Sequence, residues 1–187
     1  MDSKSLSLIF LILWDFPFTS SAGLKNTVEL EKVQVCPGND QMESSLRNLK
    51  FTRINNTHSA LSVDFAYARD IDEKTGFIVR LDRWSDGRWV EWPFLPKQKD
   101  MCKTMNKLFP SIFVEAMRSA NVANPDKCPI PAGEYHLENH IFDFSHLYAP
   151  IRLGKFRITV KITDDAFKDV YYCMILEVKI EQQLIKK

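Results

Sequence analysis

Leu61, Val63, Phe65 and Tyr67 alternate with Ser62, Asp64 and Ala66, and this period of two is the signature of a strand with one face in a core. The pattern returns in Phe77, Val79 and Leu81, which alternate with Ile78, Arg80 and Asp82 on the way to Asp86 and Gly87. That dipeptide favours a two-residue hairpin turn, because both central positions of such a turn need positive φ. With Ser85 opposite Arg88, the turn sets the register, so that Trp84 faces Trp89 and Leu81 faces Trp92. Phe77, Val79, Leu81, Val90 and Trp92 are then expected on the core face, with Trp84, Trp89, Asp82 and Glu91 on the other. An outward tryptophan pair beside a hairpin tip is suited to contact a membrane surface or a receptor; the alternative is a cross-strand stack that covers the sheet.

Val28, Leu30, Val33 and Val35 give a broken alternation, and Leu49 and Phe51 lead into the turn-like Asn55 and Asn56. Three further strands are expected over residues 135–144, 155–163 and 170–181, the last with Tyr172, Met174, Leu176, Val178 and Ile180 in alternation. Between residues 100 and 120 the period changes. Met101, Met105, Leu108, Ile112, Phe113, Ala116 and Met117 recur at threes and fours, with Pro110 dividing two short helical pieces. Residues 124–133 are too rich in proline and glycine for regular structure. The pattern as a whole predicts an all-β chain, an antiparallel β-sandwich of about seven or eight strands with a short helical insertion.

Residues 1–22 read as a secretory signal peptide: Lys4, an apolar run over residues 6–14, then Ser20, Ser21 and Ala22 as the small residues before cleavage. The run is about half the length that a bilayer-spanning helix needs. No later run approaches that length, so the expected mature chain, residues 23–187, is one soluble, secreted domain. Its four cysteines, Cys36, Cys102, Cys128 and Cys173, are an even count, as two disulfides require. Three pairings are open. Cys36 with Cys173 would clip the first strand to the last, and Cys102 with Cys128 would close a loop around the helical insertion; this pairing is preferred. Asn55, Asn56 and Thr57 form a glycosylation sequon in an expected exposed loop.

Lys and Arg number 25 against 24 Asp and Glu, a balance that argues against a nucleic-acid surface. Signs of catalysis are few. His136 to His140 resembles a zinc-protease motif only superficially, because Glu138 stands one position late and the segment reads as a strand. There His136, Glu138 and His140 would share one polar face. No nucleophile elbow or phosphate-binding glycine loop is present. The carboxylate pairs Asp70 with Asp72 and Asp164 with Asp165 fall in expected turns. Neither a catalytic residue nor a metal or cofactor is expected.

The run Cys128-Pro129, then Gly133-x-Tyr135, Gly154 to Ile158 and Cys173 resembles the corresponding stretch of the ML-type lipid carriers exemplified by the ganglioside activator. It is still more similar to the secreted chemosensory CheB family of insects. The similarity is best over residues 100–180. In that family the matching cysteines pair first with last and middle with middle, which supports the preferred pairing. The resemblance implies a β-cup whose two sheets part to admit acyl chains, although this chain lacks the activator's additional cysteines.

The expectation is therefore a non-enzymatic carrier of a lipid or long-chain hydrocarbon in a chemosensory setting. Met105, Phe109, Phe113 and Met117 would form a lid, and Phe65 and Trp92 would line the pocket. The rivals are an adhesion or receptor-accessory module with no small ligand and, less favoured, a hydrolase. If the helical stripe lines a void it serves ligand; if it fills the sandwich it is core.

Overall fold

A computed structural model describes residues 24–38, 41–42, 44, 46–55, 58–92, 97–143 and 153–184. Residues 1–22, with the expected signal peptide, lie outside them. In chain order the elements are β1 (Leu24–Val35), β2 (Leu46–Arg53), β3 (His58–Tyr67), β4 (Thr75–Ser85) and β5 (Arg88–Trp92). The helices α1 (Met101–Leu108) and α2 (Pro110–Ser119) follow, then β6 (Gly133–Asp143), β7 (Gly154–Asp164) and β8 (Val170–Leu184). Asn26–Gln182 make one compact body. A second unit holds Met1–Lys25 and Gln183–Lys187, of which residues 24–25 and 183–184 are described, as strand.

Two antiparallel sheets form the body, one ordered β1-β8-β7-β4-β5 and the other β2-β3-β6. Strand β3 carries out its alternation without a break, with Ser59, Leu61, Val63, Phe65 and Tyr67 all buried. The β4–β5 hairpin has the register its turn dictates, Trp84 opposite Trp89 and Leu81 opposite Trp92. Asp86 and Gly87 adopt φ of 51° and 78°, the left-handed pair this turn demands. Cys36 is bonded to Cys173 and Cys102 to Cys128. The first bond fastens the end of β1 to β8, and the second ties α1 to the segment before β6.

The two helices break where proline stands. Asp100 caps α1 by accepting from the Lys103 amide at 3.3 Å, and Pro110 opens α2 at a position where a missing N–H costs nothing. Helix α1 packs against β4 and α2 against β6.

Four features depart from the expected pattern. Val90 is 41% exposed: its register position is on the inner face, but β5 edges a five-stranded sheet that faces only three strands. Asp82 is 5% exposed although it points outward, because the long side chain of Arg80 folds over it and donates to it from Nε at 2.9 Å. Leu108 is 47% exposed, since α1 ends there and the break at Phe109 interrupts the helical period. The fourth concerns β6, where Leu61 pairs with His140 but Val63 pairs with Leu137. Two residues, Glu138 and Asn139, thus oppose Ser62, and this bulge takes His140 off the face of His136 and Glu138. The Asn139 amide donates to the Ser62 hydroxyl at 2.9 Å, so the bulge leaves that donor satisfied.

Candidate functional site

The inner face of the larger sheet can be read row by row from its registers. Phe77 pairs with Ile162, and both are buried, at 3% and 2% exposure. Towards the other end, Phe156 pairs with Val178, again buried. Between these closed rows lie Val79, Val160 and Met174, neighbours on β4, β7 and β8, and each keeps accessible surface. Trp92, Ile158 and Leu176 in the adjoining row do the same, around a buried Leu81. Central strands of a packed sandwich ordinarily bury this face most completely. Here buried pairs stand towards both ends, and the residues between them keep accessible surface.

Tyr172 stands beside Ile162 at the edge of this zone. It is half-buried, and burial pushes its phenol up to about 12. Tyr67 on β3 is raised well above the ordinary phenol range, by burial first and then by the neighbouring phenols of Tyr172 and Tyr135. Phe65, Tyr67 and Tyr135 form an aromatic cluster with centroids 5.5 to 5.9 Å apart, and Tyr135 donates to the Pro131 carbonyl at 2.7 Å.

The side chains expected at a pocket divide into two groups. Phe65, Phe113 and Met117 are buried at 6% to 8% exposure in the common core. Trp92, Met105 and Phe109 keep accessible surface, and Trp92 and Met105 pack on the edge of that core. Trp84 and Trp89 stack edge to face at 5.0 Å on the outer face. The Arg157 guanidinium covers Trp89 at 4.3 Å, while Trp84 stays 43% exposed. Asn55 is exposed and its side-chain oxygen accepts from the His58 amide; Asn56 and Thr57 lie outside the described residues.

Val160, Ile158 and Arg83 were not singled out from sequence. Arg83 had a signal: it stands two residues beyond Leu81, at the parity of Phe77, Val79 and Leu81.

Polar groups elsewhere hold turns or sit in shallow recesses. Asp70 accepts from the Ala132 amide, Asp72 from Lys74, and Asp164 from Lys168 and Asp169. A recess of about 240 Å³ holds Asp64, Asn48 and His136. Hydrogen bonds from Asn48 first, then from His136, hold the Asp64 carboxyl below its usual range. His140 touches the Ser119 hydroxyl of α2 at 2.9 Å, and burial lowers its pKa. Among the described residues no group of three His, Cys, Asp or Glu side chains could hold a metal ion.

The fold and this interior define a two-sheet antiparallel sandwich whose larger sheet keeps accessible apolar surface on its inner face. Residues 77–158, less than half of the chain, match a family described as a protein of unknown function (DUF1091). No curated protein matches the chain. Among solved structures, chicken MD-1 complexed with lipid IVa is 12% identical, with 83% of this chain and 96% of that one covered at a TM-score of 0.35. A Niemann-Pick type C2 protein from the Japanese carpenter ant is 12% identical, over 81% and 90%, at a TM-score of 0.30. Likenesses this distant carry no argument about function, which rests on the chain's own geometry.

Proposed function

We propose that the protein is a secreted, non-enzymatic carrier that holds a lipid or long-chain hydrocarbon between its two sheets. The observation that carries this reading is the row Val79, Val160 and Met174, which keeps accessible surface on the inner face between the buried pairs Phe77 with Ile162 and Phe156 with Val178. An alkyl chain laid along it would gain about 0.8 kcal/mol per buried methylene with no polar partner needed. Met105, Phe109 and Trp92 would meet the ligand at the rim of the gap between the sheets, and Phe65, Phe113 and Met117 would reach it only if α1 and α2 shifted. Secretion is supported by two disulfides and by the leader-like residues 1–22, with a glycan proposed at Asn55. A chemosensory setting rests on the resemblance to the CheB family.

Native mass spectrometry of the purified secreted protein tests this reading. Bound lipid or hydrocarbon, lost on organic extraction and regained on adding a long-chain ligand, is the expected result. A ligand-free protein that refuses such chains would overturn it.

A second reading, an adhesion or receptor-accessory module, is favoured by one observation, the exposed Trp84 ring beside Trp89. The two readings combine if the hairpin tip meets a membrane or receptor while the interior holds ligand.

A further inference from the structure

We propose that Arg83 anchors the acidic end of an amphipathic ligand, a long alkyl chain that terminates in a carboxylate or phosphate. The proposal rests on the carrier reading and adds to it the class of ligand.

Arg83 occupies an inner register position, between Phe156 on β7 and Val90 on β5. An arginine there adjoins the row of Trp92, Leu81 and Ile158. Its guanidinium carbon lies 5.5 Å from the centre of the Trp92 ring. Its Nε is buried and has no hydrogen-bond partner.

Several other strand arginines are matched with acids. Arg53 meets Glu29, Arg80 meets Asp82, and Arg157 donates to Glu177 at 3.0 Å from Nη2, even though its own Nε is unpartnered. Among the described residues no carboxylate pairs with Arg83. The stretches that adjoin β5 and β7 in sequence, residues 93–96 and 144–152, contain no Asp or Glu at all. The chain itself therefore offers this cation no nearby acid along those stretches.

Gly154 keeps a side chain off the Nε and Nη2 edge of the guanidinium. A Cβ at this position would stand 3.7 Å from Arg83 Nε and 3.9 Å from Nη2, in contact with the pair of N–H groups that can grip two oxygens of one anion. Glycine here also satisfies a backbone φ of 138°. A carboxylate or phosphate accepting from Nε and Nη2 would satisfy the orphaned donor in the bidentate geometry to which arginine is suited. Its alkyl chain would then run from Arg83 past Trp92 towards Val79 and Val160. The acid end sits at the rim and the tail in the gap.

The test compares ligands that share one tail. Calorimetry on lipid-extracted, full-length mature protein would measure binding of oleate, oleyl alcohol and oleoyl lysophosphatidate. Oleate is expected to bind roughly tenfold more tightly than the alcohol. Arg83→Gln should remove that preference while leaving the alcohol within about twofold of its wild-type affinity. Arg83→Met serves if Gln at this site prevents folding. Loss of lysophosphatidate binding in the variant, with oleate unaffected, would assign the anchor to phosphate; the reverse would assign it to carboxylate. If wild-type protein binds neither oleate nor lysophosphatidate more tightly than the alcohol, or the variant keeps every preference the wild type shows, the anchor is overturned and the carrier reading stands. If no ligand with this tail binds, the carrier reading fails and the anchor fails with it.

Discussion

Nη2 of Arg53 lies 2.6 Å from the carboxylate of Glu29, joining an edge strand of the larger sheet to an edge strand of the smaller. The two ends of this bridge are unequal, since the Glu29 side chain is 8% exposed and that of Arg53 47%. Arg53→Ala strands a buried carboxylate and is expected to cost about 2 to 4 kcal/mol. Glu29→Gln leaves a cation that water can resolvate and should cost about 1 kcal/mol. Denaturant titration of both variants measures the difference, and equal losses would mean that the bridge does not hold the edges.

Val160 and Val178 offer a matched pair of probes, one bordering the proposed gap and the other buried at 7% exposure. Val178→Phe should overpack its surroundings and lower stability by about 1 to 3 kcal/mol. Val160→Phe is expected to leave stability unchanged or raise it, because the ring enters unfilled space, and to abolish binding of long-chain ligands. Thermal unfolding and ligand titration of each variant decide the matter. Equal destabilisation would close the gap as a binding site.

Alkaline titration reads the same interior. The Tyr172 phenol titrates near 12 when folded, against an ordinary value of 10.0. Between these values the unfolded chain loses the proton first, so the neutral phenol's contribution, complete below pH 10, is lost as pH rises towards 12. The total loss from this group is about 3 kcal/mol. Tyr67 shifts in the same direction. Tyrosinate absorbance should show Tyr67, Tyr172 and Tyr135 titrating late, and Tyr172→Phe should flatten the fall in stability over this window.

At the hairpin tip, a double-mutant cycle on Trp84 and Trp89 is expected to give a coupling of about 0.5 to 1.5 kcal/mol from the ring stack. Trp84→Ala alone should spare ligand binding, because its ring lies outside the gap. If vesicle partitioning of the wild-type protein also falls in Trp84→Ala, the exposed ring meets membrane. Unchanged partitioning would leave only the stacking role.

Period and turn chemistry made much of this molecule legible. The alternation Leu61 to Tyr67 gave β3 its buried face, the Asp86-Gly87 turn gave the tryptophan register, and Pro110 marked the helix break. The accessible surface at Val79, Val160 and Met174 was hidden, because alternation says which way a side chain points and not whether anything packs against it. Val160 and Val178 are alike in the sequence, and only the facing layer makes them differ. The burial of Phe113 and Met117 was undecidable for the same reason, since a helical stripe looks the same over a void or over a core. The burial of the outward-pointing Asp82 was hidden because nothing in a period of two indicates that Arg80 will fold over its neighbour.

The bulge at Asn139 has a genetic consequence. Leu137 and Phe142 are an odd number of positions apart yet both turn towards the core, which only the extra residue permits. Loss of that single codon would bring the strand back to plain pairing without turning its last residues over: Ile141 would stay outward opposite Ala60, and His140 and Phe142 would stay inward opposite Leu61 and Ser59. Substitution and deletion at Asn139 alike preserve the parity, whereas loss of a regularly paired residue such as Ile141 would turn Phe142 outward. Along this strand the length is free to change at the bulge and fixed on either side of it.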